Sequence, residues 1–506
     1  MSGPAPLAPA PPSSSPSSPS SPRARPIGAR ARRSLRWQLA GRGSEQCIRL
    51  GANLVLARLL APEDFGLMGM AASGLAFAEA ASHVGTEQAV IADRRGRRPR
   101  YIATAYAMSL LRGLLLAAAL LWLAGPLSRW YGQPDAVGIF LLIAVQPLLL
   151  ALGHPGAQVP LRGLRFGRWT GARTLAVAAG TAGTIVLAIA TRSVWALVVG
   201  QLMTTALVSI GSHIVTPRTS WVRPRIHRRH VGSIVRFSAG AVGTPLLIML
   251  IIQAPPMIVG PVLGPAILGV YLLHRRLAEI APQLAISAAG SVLVPVYAAL
   301  RDDPARAART WRRTVQIAGL LASISVAGLA WLGGDLPAVV LGEPYRGSPG
   351  LLGLLALAGG LAAVLGVVGP LFWGVGRPQL DRRVQCIRTA VTFLAGLPLL
   401  MQFGPSGFAA ATAAAAGLAL LYGLHLAAPI VDVSVGGSLR ALGPGIAAGV
   451  CLASVGVAID LMLHPAPIVR VVIAGTVAGT GAAIWMARYL RTDADRPPTP
   501  MIKPVT

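Results

Sequence analysis

The sequence predicts an all-α polytopic membrane protein, with about 14 transmembrane helices in two parallel six-helix lobes plus a C-terminal helix pair. Three observations predict it. The 506 residues are 54% hydrophobic and 12% charged, with a mean hydropathy of +0.63, whereas a soluble globular chain carries about 25% charged residues. Apolar runs near ~20 residues, the length that crosses a bilayer as a helix, recur along the chain. A turn of the form L-[AG]-P-x-x-[FL]-G-[LV] occurs twice, within LLAPEDFGL at 59–67 and VLGPAILGV at 262–270.

In chain order, residues 1–36 are a Pro/Ser-rich tract followed by Arg23, Arg25, Arg30, Arg32, Arg33 and Arg36. Such a composition buries no core and is expected to be disordered. No short apolar stretch with a small-residue cleavage site follows, so the tract does not read as a signal peptide. Helical spans are then drawn near 37–60, 65–91, 101–124, 136–156, 169–190, 193–216, 233–259, 266–299, 314–332, 350–374, 384–402, 405–428, 439–461 and 467–488.

The arginines test this division. All but one of the 45 basic residues are arginine, the exception being Lys503. They concentrate in alternate connections, at 92–100, 157–168, 217–232, 300–313 and 375–383, while the intervening connections hold isolated Arg129, Arg192 and Arg346. That alternation is the positive-inside signal and places both termini in the cytoplasm. The formal charge of +28 is thereby an orientation signal and does not imply nucleic acid. The most basic connection, 217–232, divides an N-lobe (37–216) from a C-lobe (233–428). A helix pair (429–488) and a cytoplasmic tail (489–506) follow.

The repeated turn supports the division. Pro62 and Pro265 suit the first turn of a helix, where no N–H partner is lost. Gly66 and Gly269 allow close helix approach. Each copy opens the second span of its six-helix unit, so the units are parallel and related by an axis along the membrane normal.

Several charges fall inside the spans, where each costs about 2.5–3.5 kcal/mol on insertion scales. Glu45 and Arg49 share a helix face at i,i+4 and can pair. Glu79, His83 and Glu87 form an i, i+4, i+8 stripe. Arg112 lies roughly 16 Å from the inner edge of its span, at 1.5 Å per residue. Arg275 and Arg276 share Glu279 by spacing. Arg173, near an inner helix end, is expected to snorkel. Structural pairing is one reading of these groups. A cationic, water-accessible cavity is the other, with Arg49, Arg112, Arg275 and Arg276 as substrate-cavity candidates and Glu45, Glu79, His83 and Glu279 as charge-pairing or ion-coupling candidates. Arginine matches pyrophosphate, offering bidentate donors and a charge that does not titrate away.

No P-loop or Ser/His/Asp grouping stands out, so no enzyme and no cofactor are expected; a coupling ion, H+ or Na+, stays open. Cys47, Cys386 and Cys451 lack metal-ligand spacing and read as small buried hydrophobes.

LARLLAPEDFGLMGMA (56–71), VGTEQAVI (84–91), LGPAILGVYLLHRRLAEI (263–280), VLVPVYAALRDDPARAAR (292–309), VLGEPYRGSPGLLGLLAL (340–357) and GVGRPQL (374–380) together resemble the oligosaccharide flippases of polysaccharide biosynthesis. This is the Wzx-like branch of the multidrug/oligosaccharidyl-lipid/polysaccharide exporter superfamily. The resemblance covers about residues 37–430. It implies two lobes around a central cavity, alternating access, and a polyprenyl-pyrophosphate-linked oligosaccharide as cargo, flipped from the cytoplasmic to the outer leaflet of a bacterial inner membrane. Polysaccharide polymerase and glycosyltransferases are the implied partners. Where such proteins often carry an Asn-x-Asp segment, this chain has Gln253-Ala254-Pro255-Pro256, which removes a possible acidic contact for a coupling ion. The two prolines are expected to kink or break that helix. A lipid II flippase or a cation-coupled drug exporter on the same scaffold is the alternative. A membrane glycosyltransferase using Glu63 and Asp64 is a further one.

Overall fold

The computed structural model describes residues 27–476 apart from 83–85, 87–89, 92, 164–165, 240–242, 334, 349, 464–465, 467–468, 471–472 and 474–475. His83 and Glu87, most of the expected tail and most of the last expected span lie outside the described residues. The helices are α1 (Ile27–Leu59), α2 (Pro62–Ala81), α3 (Pro99–Trp130), α4 (Val137–Ile143), α5 (Gln146–Ala151), α6 (Gly167–Thr191), α7 (Val194–Val215) and α8 (Arg228–Ala239). They continue as α9 (Gly243–Ala299), α10 (Pro304–Leu332), α11 (Asp335–Leu341), α12 (Leu351–Gly374), α13 (Pro378–Val431) and α14 (Val435–Leu463). No strand occurs among the described residues. The protein is an all-α, multi-pass membrane protein. Among the described residues nine helices are long and apolar enough to cross a bilayer. α1 and α2 are not among these nine.

Local sequence explains the boundaries. α1 is helical already at Ile27, ahead of the expected start at 37; ARARRSLR is made largely of strong helix formers. The span near 136–156 is split into α4 and α5. Pro147 has no N–H to return to Ile143, so the ladder stops there. The tight joint between α6 and α7 is real: Arg192 adopts φ 46, ψ 43 and Ser193 is extended.

Two long helices turn back on themselves. α9 is non-helical only at Gly264 (φ 81, ψ 174) and α13 only at Gly404 (φ 62, ψ −150). Positive φ is open to glycine at little cost, and in each case proline follows as the first residue of the next arm. In α9, Arg275 reaches Ile252 and Gly260 faces Leu268, pairs nearly equidistant from Gly264, so its arms are antiparallel. The break expected at Pro255–Pro256 is therefore displaced to Gly264, and the helix runs unbroken through both prolines. At the first copy of the turn, Asp64 accepts a hydrogen bond from Ala61 N (3.0 Å) and caps α2.

α9 is the central element, packing on α2, α12 and α13. Met70, Leu75, Leu268, Tyr271, Leu355 and Phe408 fill that seam. A second core joins α10, α12, α13 and α14 around Trp311 and Phe372. The three cysteines are exposed, against the expectation of burial. In a bilayer the acyl chains are as apolar as a protein core, so an apolar helix face need not turn inward.

Candidate functional site

Two cavities flank α9, and the neighbours Arg275 and Arg276 line different ones. Adjacent residues on a helix point about 100° apart, since one turn holds 3.6 residues. A charged pair at one depth is thus divided between two chambers.

The first cavity, about 550 Å³, is enclosed by α1, α2, α4, α5, α6, α7 and α9. Its cations are Arg49, Arg173 and Arg276, and Glu79 is its carboxylate. Arg276 crosses from α9 to α1, where Nη1 donates to Asn53 Oδ1 at 2.8 Å. Arg49 lies close enough to repel it electrostatically. Glu45 does not serve Arg49: its carboxylate takes Arg173 Nε at 3.1 Å. Arg173, expected to snorkel, instead faces the cavity. Glu79 Oε1 is buried and accepts no hydrogen bond. Amide and hydroxyl groups, among them Asn53, Gln146, Gln201 and Thr204, complete the wall.

One end of this cavity is sealed. The repeated turns lie against each other there, Gly66 on the backbone of Pro265 and Gly269 on that of Pro62. Arg58 Nη2 donates to Val339 O (2.8 Å) and Tyr345 OH to Leu60 O (2.8 Å). Phe65 and Tyr345 meet edge to face, with ring centroids 6.0 Å apart. The seal engages backbone carbonyls, so it depends on backbone position more than on any one side chain.

The other candidates fall elsewhere. Arg112 does not line either cavity. Its Nη2 donates to Glu79 O (2.9 Å) and its Nε to Ser82 Oγ (3.2 Å), holding the C-terminal turn of α2, where carbonyls lack helical partners. Arg275 Nε pairs with Glu279 Oε1 at 2.7 Å, and its Nη1 donates to Ile252 O at 2.7 Å. That second bond explains the prolines upstream. Ile252 O would ordinarily accept from residue 256, and Pro256 has no N–H to give. Glu279 thus serves Arg275, while Arg276 turns to Asn53.

The second cavity, about 680 Å³, lies among α9, α12 and α13 and is mainly apolar. Arg388, Asp381, Gln385 and Trp373 stand in its wall. Sequence reasoning passed over Arg388 and underrated Arg173, although an arginine inside an apolar run is the same signal that singled out Arg112.

The fold and these embedded charges define a helical membrane protein with an arginine-bearing chamber on either side of a central hairpin. Residues 55–348 match the family described as "Polysaccharide biosynthesis protein", and the chain belongs to that family. It is 25% identical over 328 residues to the succinoglycan biosynthesis transport protein ExoT of Rhizobium meliloti, covering 64% of this chain and 65% of that protein. The match therefore spans just under two thirds of that relative's length. It is 21% identical to the lipopolysaccharide biosynthesis protein WzxC of Escherichia coli, covering 66% of this chain and 68% of WzxC. In fold it is similar to the lipid II flippase MurJ in an inward closed conformation, with a TM-score of 0.68 over 89% of this chain and 99% of that one, at 11% identity. It is likewise similar to an inward-facing multidrug resistance MATE family transporter of the MOP superfamily, with a TM-score of 0.61 over 77% of this chain and 96% of that one, at 16% identity. The resemblance to that family seen in the sequence is borne out, and the all-α, multi-pass fold with it.

Proposed function

We propose that the protein flips a polyprenyl-pyrophosphate-linked oligosaccharide across the bacterial inner membrane for cell-surface polysaccharide assembly, acting as a transporter and not as an enzyme. The observation that carries this reading is the first cavity: Arg49 and Arg276 face one chamber that is closed at the end bearing the two turns. Among the described residues Arg276 makes one hydrogen bond, to Asn53, and a guanidinium has five N–H donors. The remaining donors suit a pyrophosphate, which accepts bidentate, charge-assisted bonds. The family relationship and the transport protein among its relatives support the same reading.

In this mechanism residues 37–216 rock against 233–428 about α2 and α9. The pyrophosphate enters from the arginine-rich, cytoplasmic end, and separation of the two turns opens the other. Both termini lie in the cytoplasm, beside the glycosyltransferases that build the cargo, and polymerase takes it on the far side.

The test removes charge. Arg49→Gln and Arg276→Gln, singly and together, should abolish surface polymer while protein remains in the membrane at normal level. Normal polymer from the double variant would falsify the assignment.

A further inference from the structure

We infer that the second cavity, among α9, α12 and α13, is a saccharide site that takes an acidic sugar unit of the cargo; this rests on the saccharide-cargo reading above. The argument begins with Arg388. It sits on α13 in the cavity wall, and among the described residues no carboxylate, carbonyl or hydroxyl accepts a hydrogen bond from it. The charges acting on it are Arg275, which repels it, and Glu279, which attracts it. Glu279 is already bonded to Arg275. A guanidinium in an apolar chamber without an acceptor is costly to keep, so the site calls for an anion.

The groups around it are those that hold a sugar. Trp373 lines the cavity and the residue is 51% exposed. Its Nε1 donates to Asp381 Oδ2 at 3.0 Å. A tryptophan in an interfacial belt directs its N–H to the headgroups. Here the N–H is turned inward to a buried carboxylate, which fixes the ring in the cavity wall. An indole face is an apolar platform of the size of one pyranose, whose C–H face is itself apolar. Gln385 lines the cavity, and its Nε2 donates to Asp381 Oδ1 at 3.4 Å, which fixes the amide. That Oε1 is buried and has no donor. The site therefore offers an apolar plate, an acceptor for a hydroxyl and a cation for an acid, all within one cavity.

The phosphates of the carrier lipid would satisfy Arg388 alone. They would leave the Trp373 face and Gln385 Oε1 unused, because a pyrophosphate diester has neither an apolar face nor a hydroxyl. A uronate-type or acid-substituted sugar uses all three.

The experiment is calorimetric titration of the full-length protein in lipid nanodiscs with trigalacturonate, with neutral maltotriose of equal length, and with inorganic pyrophosphate. Trigalacturonate should bind more tightly than maltotriose. Arg388→Gln should weaken trigalacturonate about tenfold or more, the worth of a charge-assisted hydrogen bond, and leave maltotriose unchanged. Arg388→Lys should keep the preference for the acid, and Trp373→Ala should weaken both sugars. Thermal unfolding of Arg388→Gln at or above the parent value excludes a folding defect, and Arg388→Lys carries the test if the glutamine variant unfolds. Equal binding of trigalacturonate by the parent and Arg388→Gln overturns the proposal, as does loss confined to pyrophosphate. The sugar probes carry neither lipid nor pyrophosphate, so this outcome is separate from polymer export by the Arg49 and Arg276 variants: each reading can fail while the other stands.

Discussion

Gly66 and Gly269 occupy equivalent places in the two copies of the turn, and each packs on the carbonyl of the other copy's proline. A Cβ at Gly66 would collide with Pro265 O, and a Cβ at Gly269 with Pro62 O. The contact is reciprocal, as expected where two parallel repeats meet across their own axis. Both obstacles are backbone atoms, so neither can move aside as a flexible side chain would.

Substituting either glycine should force α2 and α9 apart at this end. Overpacking of this kind costs about 1–3 kcal/mol. Gly66→Ala and Gly269→Ala are each expected to lower the thermal unfolding temperature in detergent. They should also raise labelling of a cysteine placed at Phe65 by a membrane-impermeant maleimide. Unchanged labelling in both variants would mean that the turns do not form the seal.

Arg275 and Pro256 are coupled through Ile252 O. Arg275→Met leaves that carbonyl without a donor and Glu279 without its partner; the pair is half-buried, so the loss costs about 1–3 kcal/mol. Pro256→Ala restores the helical N–H at the same carbonyl. The double variant should therefore be more stable than Arg275→Met by more than Pro256→Ala gains in the parent. A double-mutant cycle on thermal or denaturant unfolding measures that coupling, and strict additivity would rule it out.

Arg112 holds the C-terminal turn of α2. Arg112→Leu should destabilise the protein by about 1–3 kcal/mol, the cost of leaving embedded acceptors unmet. Ser82→Ala, which removes one of its acceptors, should cost less. The comparison is thermal unfolding of the two variants beside the parent. A larger loss for Ser82→Ala would place the anchor elsewhere.

His154 lies between α5 and the following turn, at the arginine-rich end. It is buried, at 2% exposure. Nδ1 accepts from Gly156 N (3.0 Å), and Nε2 faces Val222 N at 3.2 Å and Val222 O at 3.1 Å. Burial pushes its pKa down; the contact with Val222 O opposes this, and His213 adds to the depression. An unfolded histidine titrates near ~6.5, so the unfolded chain takes up the proton first as pH falls. The stabilisation is full above that pH and is lost as pH falls from there through the lower folded value. His154→Phe should flatten this part of the stability–pH curve measured by thermal unfolding between pH 7.5 and 5. A slope that persists unchanged would assign it to another group.

Much of the fold was legible in the chain. Apolar run length, arginine alternation and the twice-used proline turn are properties of short stretches, and each expected span through 439–461 has a helical counterpart among the described residues. The lapses were local. The 136–156 span divides at Pro147, and α9 passes Pro255 and Pro256 without a break. Arg275, 23 residues from Ile252 in sequence, supplies one of the missing donors there, a relationship that i,i+4 reasoning does not reach.

The sequence by itself determined the class of protein, the turns at 59–67 and 262–270, and the presence of charge at depth, because hydropathy, loop charge and turn chemistry act over a few residues. Only the tertiary structure decided how those charges are shared. It gave Glu45 to Arg173 instead of Arg49, put Arg112 at the end of α2, and divided Arg275 from Arg276 across the α9 hairpin. The physical reason is that an embedded charge takes the nearest acceptor in space. That acceptor is fixed by how helices pack, and neighbours on one helix face different partners.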